Sequence, residues 1–155
     1  MRTKLMLLTL VVVAATLVGS SIAVGAKPAR TTYKLKAALN IGQEKPIAKG
    51  TQRGASGRFT ATLNGTALTW KLTFKHLSGD ATAAHIHIGA RKVAGPVVIP
   101  LCTPCTSPVT SASPTTLTAD QVKDLLAGKY YVNVHTAKNP AGEIRGQISK
   151  APTTS

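Results

Sequence analysis

Histidines stand at strand spacing in two segments far apart in the chain: Ala84-His85-Ile86-His87-Ile88-Gly89, and Tyr130-Tyr131-Val132-Asn133-Val134-His135-Thr136. A strand sends alternate side chains to opposite faces. His85 and His87 therefore share one face and Ala84, Ile86 and Ile88 the other, while Tyr131, Asn133 and His135 oppose Val132 and Val134. A third segment divides the same way, with Glu143, Arg145 and Gln147 polar and Ile144 and Ile148 apolar. Side by side, three such strands present a polar surface carrying three histidines. Neutral imidazole is the commonest ligand for zinc and copper, and two histidines at i and i+2 lie roughly 7 Å apart at the backbone, close enough to converge on one ion. His135 from a neighbouring strand would complete an open site. The candidate metal ligands are thus His85, His87 and His135, with Tyr131, Asn133, Glu143 and Arg145 as the polar face around them.

The same residues admit a second reading, in which the imidazoles form a structural cluster hydrogen-bonded to backbone carbonyls or to Asn133 and Glu143. Arg91, Lys92, Lys138 and Arg145 also bear on the choice, because their charge repels a cation unless Glu143 offsets it. His76, in Lys75-His76-Leu77-Ser78-Gly79, lies outside the motif and reads as a polar strand-end residue. Glu143 and Arg145 together suit an ion pair with a neighbour, or bidentate binding of a carboxylate or phosphate by Arg145. Glu44 suits a loop, capping amides or pairing with a base. There is no Ser/His/Asp constellation, no pair of carboxylates at a cleft and no phosphate-cradling glycine loop, so hydrolase and transferase readings have no support.

The elements that must hold these groups are strands. Leu35, Ala37 and Leu39 alternate with Lys34, Lys36 and Ala38; Phe59, Ala61 and Leu63 with Arg58, Thr60 and Thr62; Trp70, Leu72 and Phe74 with Lys71, Thr73 and Lys75. Half-buried antiparallel strands produce this pattern, whereas two-sided parallel sheets give continuous apolar runs. Asn64-Gly65 supplies residues that accept positive φ in a tight hairpin, and Asn139-Pro140-Ala141-Gly142 fits a turn joining the last two strands. One short helix is predicted after Thr118, an N-cap with Gln121 completing a capping box and Gly128 as the stop. Thr106 to Thr116, rich in Thr, Ser and Pro with no apolar period, reads as a mobile loop. Many short strands with one inserted helix predict an antiparallel sandwich.

The chain resembles the CHRD domain, the module repeated in chordin and found singly in many exported bacterial proteins. The resemblance rests on Leu39 with Gln43-Glu44-Lys45-Pro46, Gly57, Leu77-Ser78-Gly79, the His-Ile-His strand, Gly95-Pro96-Val97-Val98, Leu125 to Gly128 and Tyr131 to Ile148. Lys45 departs from it, standing where the family usually carries an apolar residue. It implies an immunoglobulin-like antiparallel Greek-key sandwich related to copper-zinc superoxide dismutases, over residues 33–150, and no settled activity. Those enzymes also use a His-x-His strand and a late histidine for copper, which supports placing His85, His87 and His135 together. They use more metal-binding histidines than the four in this chain, so two-metal superoxide dismutation is not expected. The functional expectation is a non-enzymatic extracellular binding or matrix- or cell-wall-associated module. Its alternative is a copper- or zinc-binding domain with at most simple redox activity.

Residues 1–26 order a basic start (Arg2, Lys4), an apolar run from Leu5 to Val18 and small residues at the end, which is the pattern of a secretory leader cleaved after Ala23 or Ala26. The run is short for a stable membrane span. In an exported chain, Cys102-Thr103-Pro104-Cys105, which precedes a Ser/Pro-rich stretch rather than opening a helix, predicts a local Cys102–Cys105 disulfide. The 19 basic and 5 acidic side chains give +14. Removal of Arg2 and Lys4 leaves 17 against 5, or +12. Such a surface attracts anionic extracellular or cell-wall polymers. With only 1 Trp, 2 Phe and 3 Tyr, there is no stacking platform for sequence-specific nucleic-acid binding.

Overall fold

The computed structural model describes residues 31–152, so the leader reading lies outside the described residues. Three long strands come first: β1 (Thr32–Asn40), β2 (Ser56–Asn64) and β3 (Ala67–Lys75). Residues Leu35, Ala37, Leu39, Phe59, Ala61, Leu63, Leu68, Trp70 and Leu72 are all buried, as the alternation predicts. β2 and β3 pair from Ser56↔Lys75 to Asn64↔Ala67, leaving Gly65 and Thr66 as a two-residue turn. Only Gly65 has positive φ there, at 61°, the arrangement that matches the twist of the flanking strands.

The chain then crosses to β4 (Ala81–Ile88) and β5 (Val97–Cys102) and returns along β3's edge through β6 (Val109–Thr110) and β7 (Thr115–Thr116). The helix α1 (Ala119–Leu126) follows, with both bonds of the Thr118/Gln121 capping box formed, and then β8 (Tyr130–Thr136), β9 (Ile144–Gln147) and β10 (Ser149–Lys150). The strands order β5-β4-β8-β9-β1-β2-β3-β6 in one hydrogen-bonded sheet, with β10 on β1 and β7 on β3, and these strands pair antiparallel throughout. The expected all-β antiparallel fold with one short helix is therefore present. Its strands form one continuous sheet, in which β9 meets β1 at the single pair Asn40↔Arg145. The two halves share one core, with Ala84, Ile86, Ile99, Val132, Val134 and Ile144 supplying the side contributed by β4, β5, β8 and β9.

The segment Thr106 to Thr116 departs from the loop expectation. It pairs with β3 at Lys71↔Thr110, Leu72↔Val109, Ala67↔Thr116 and Leu68↔Thr115. Between those pairs the Ser111 hydroxyl accepts from the Trp70 amide, and beyond them the Ser107 hydroxyl accepts from the Phe74 amide. Backbone and hydroxyl groups thus satisfy an edge that would otherwise present free amides.

Candidate functional site

β4 and β8 place the three histidines. Their register pairs His85 with Asn133, His87 with Tyr131 and Ala83 with His135. β8 pairs in turn with β9 at Asn133↔Arg145. All seven residues of β8 are buried, because its apolar face lies on the core and its polar face is covered too. The histidine face is therefore sheltered rather than outward as alternation alone suggests.

Three pieces of backbone form the cover. Arg145 donates to the Ala90 and Val93 carbonyls at 2.6 and 2.9 Å and lies over the Tyr131 ring, its guanidinium carbon 3.3 Å from the centroid. This fastens the loop between β4 and β5, whose Gly95 amide also donates to the Tyr131 hydroxyl. A Cβ on Gly95 would fall 1.6 Å from the Ile88 carbonyl oxygen, so the close approach needs glycine. The segment between β1 and β2 is tied down by Asn133 Nδ2 donating to Glu44 Oε1 at 3.2 Å and by Asn139 exchanging bonds with Lys49. The β8–β9 turn, closed by Gly142 N–H to the Asn139 carbonyl, supplies the third piece.

Within this shelter the rings meet. His85 Nδ1 is 3.1 Å from His135 Nε2, and the His85–His87 and His87–His135 centroids are 5.6 and 5.7 Å apart. His87 stacks on Tyr131 at 5.0 Å with 10° between the planes. Two backbone carbonyls fix tautomers: a carbonyl can only accept, so His87 donates Nδ1–H to Gly95 (2.9 Å) and His135 donates Nδ1–H to Pro140 (3.0 Å). In the neutral rings both Nε2 atoms are then left as lone-pair donors to a metal. His135 Nε2 can meet His85 Nδ1–H, but His87 Nε2 is buried with no hydrogen-bond partner. Burial lowers the pKa of His85 and His87 and pushes His135 down to about 4, against the opposing pull of the Pro140 carbonyl. All three rings are neutral near pH 7.

One ligand atom from each histidine lies within 4.8 Å of the others. Metal–imidazole bonds of about 2.0–2.1 Å put two ligand atoms roughly 3.3 Å apart at a tetrahedral angle and no more than about 4.2 Å apart at any angle. The His85–His135 pair is close to that spacing, and an ion requires only that a ring close by an ångström or so. Carbonyl bonds at the far side of His87 and His135 are the supports that metal-binding histidines ordinarily have. No carboxylate belongs to this set.

Of the residues the sequence placed on this face, Tyr131 touches His87, and Arg145 touches Tyr131 and anchors the cover. Asn133 lies between His85 and Arg145 in register and reaches Glu44. Glu143 turns elsewhere: it accepts from the Ser78 amide (2.6 Å) and hydroxyl (2.7 Å), from Thr136 Oγ1 (2.6 Å) and from Asn139 Nδ2 (3.3 Å). Burial pushes its pKa up, yet these donors together outweigh it and hold the carboxyl below its ordinary value. Glu143 therefore staples the β3–β4 turn to the β8–β9 hairpin. His76 is exposed, has φ 57° and stands apart from the cluster.

Glu44 carries more weight than its sequence reading gave it. It is buried, burial raises it to about 7 against the lowering effects of the Lys45 amide, Arg145 and Asn133, and its Oε2 has no partner. The Gly95 and Pro140 carbonyls were also not foreseen, and the Gly95-Pro96 and Pro140-Ala141-Gly142 segments were the available signal. The Cys102 and Cys105 sulfurs lie at disulfide distance, at the end of β5 and away from the histidines. Among the described residues no helix is long and apolar enough to cross a membrane.

The family model for the CHRD domain matches residues 35–148, which takes in β1 from Leu35 through β9 and all three clustered histidines. No curated protein and no solved structure matches the chain.

Proposed function

The chain belongs to the CHRD domain family, and we propose from that premise and from the site that its function is to bind a single copper or zinc ion through His85, His87 and His135. The observation that carries this reading is His87 Nε2: a buried lone pair with no hydrogen-bond partner, on a ring whose other nitrogen is held by the Gly95 carbonyl. In a purely structural cluster that atom would leave a buried polar group unsatisfied, a cost of about 1–3 kcal/mol with no return. An ion removes the cost. Three neutral nitrogen ligands suit copper ahead of zinc, since copper(II) binds nitrogen sites more tightly. A bound ion would supply a fixed positive charge and, for copper, one-electron chemistry. The residues themselves fix ring orientation, cover His87 and His135 from water and keep the ligands unprotonated.

The fold supports the same reading. A chain crossing from β3 to β4 and a His-x-His strand beside the strand of the late histidine are what a superoxide-dismutase-like Greek-key sandwich would have, and we adopt that description with it. The leader-like first 26 residues support an exported domain.

Titration calorimetry of the mature chain with copper(II) and zinc tests the proposal. One saturable site is expected, with His85→Ala, His87→Ala and His135→Ala each weakening it by roughly tenfold or more and His76→Ala leaving it unchanged. Absence of a saturable site, or equal loss with His76→Ala, would leave the structural cluster as the account of these residues.

A further inference from the structure

We propose that the outward face of β1, β2 and β3 docks a linear anionic polysaccharide. Lys34, Lys36, Arg58, Lys71 and Lys75 are exposed. The register puts them on one face, since Lys36 pairs with Thr60 and Thr60 with Lys71, Lys34 with Thr62, Arg58 with Thr73, and Ser56 with Lys75. The three strands contain no acidic residue. Of the five acidic residues, Glu44 and Glu143 are buried, Asp120 and Asp124 lie on α1, the latter paired with Lys129, and Asp80 lies between β3 and β4, near Lys75 at the end of the face. Around Lys34, Lys36, Arg58 and Lys71 no acidic residue of these strands offsets the positive field.

Geometry selects the kind of anion. Strand spacing puts Lys34 and Lys36 roughly 7 Å apart along β1, and Lys36 and Lys71 roughly 10 Å apart across two strands. One phosphate or carboxylate can meet two neighbouring side chains but not all five cations, which are spread over three strands, whereas a chain presenting anions in series can meet them together. Thr60, Thr62, Thr69 and Thr73 lie between the cations; Thr62 holds Lys34 Nζ at 2.9 Å, and the Thr60 hydroxyl is left to meet a sugar chain. Residues 111–114 wall one side, turning the face into a shallow cleft.

The same face argues against other polyanions. Phe59 and Trp70 point into the core, so no aromatic ring is available for stacking nucleobases. It carries no large exposed apolar side chain to enter a bilayer; Ile47, Val93 and Val97 lie in other segments. The proposal is independent of the metal reading, because the histidines occupy the other half of the sheet.

The test is binding of the mature chain to dextran sulfate and to polygalacturonate, with neutral dextran and a single-stranded oligothymidylate as comparison arms. Binding to both anionic polysaccharides should weaken by at least roughly tenfold between about 50 and about 200 mM salt, as electrostatic association does, and neutral dextran should not bind. The triple variant Lys36→Ser/Arg58→Ser/Lys71→Ser should lose at least tenfold at low salt. Lys92→Ser/Lys123→Ser/Lys138→Ser, of equal charge, should lose less than threefold. Circular dichroism and urea unfolding check that both variants fold. Equal losses in the two triples would mean that net charge alone binds the polymer, and oligothymidylate binding as tight as the polysaccharides would mean that the face does not select sugars; either result overturns the proposal.

Discussion

In β1, β2 and β3 alternate side chains enter the core and most of the rest, facing water, are lysine, arginine or threonine, whereas in β8 no residue is exposed along the whole strand. One sheet thus has strands with a single buried face and, in β8, a strand with two. Where water lies on one side, polar groups need no partner. Where both sides are closed, each polar atom must find one or cost free energy. The second face of β8 meets that demand through backbone: the carbonyls of Ala90, Val93, Gly95 and Pro140 receive Arg145 and two histidines. His87 Nε2 is among the few buried side-chain atoms left without a partner, and it is the one that the proposed ion would satisfy.

Substitutions on the two halves should therefore differ in size. The largest effect is expected at Glu143, where replacement by Ala strands four donors at once; urea unfolding should show a loss of about 3 kcal/mol or more. A loss below about 1 kcal/mol would mean that the turn and the hairpin are held together by other contacts. Joint Cys102→Ser and Cys105→Ser replacement should cost roughly 2 kcal/mol, because the closed ring is short.

A smaller, pH-dependent difference is expected at Glu44. Its folded pKa is raised above the ordinary 4.5 to about 7, so the stability associated with its protonated form is complete at low pH and is lost as pH rises through that window. Glu44→Gln keeps the acceptor for Asn133 and Lys45 and should gain on the parent between about pH 4.5 and pH 7, by at most about 1.4 kcal/mol per pH unit. The lowered His135 acts in the opposite sense, contributing stability above pH 6.5 that is lost as pH falls towards about 4. A constant gap between parent and Glu44→Gln across this range would show that the carboxylate is solvated. Lys36→Ala, on the open half, should change stability by less than about 0.5 kcal/mol.

The same contrast explains what could be read from the sequence. Alternation located the long strands because one face of each meets water, and Thr118 with Gln121 announced the helix by its own side chains. The histidine set followed from spacing, but the cover over it did not, since its bonds to the rings come from carbonyls that every residue possesses. Glu143 left the expected face because it precedes β9, where the chain is still in the turn and strand alternation does not extend. Thr106 to Thr116 gave no strand signal because its pairing with β3 uses backbone and serine hydroxyls instead of an apolar face.

The central claim is that the sheltered half of the sheet is built around an ion, and long-range nitrogen–proton NMR of the histidine rings during zinc titration tests it most directly. Without metal, His87 and His135 should show protonated Nδ1 and unprotonated Nε2, and His85 should carry its proton on Nδ1 where it faces His135. One equivalent of zinc should shift Nε2 of His87 and His135 to metal-bound values while their Nδ1–H signals persist, and His85 should move its proton to Nε2 with no net release. Ring nitrogens that keep their metal-free shifts past one equivalent, or a His87 with its proton on Nε2, would contradict the account.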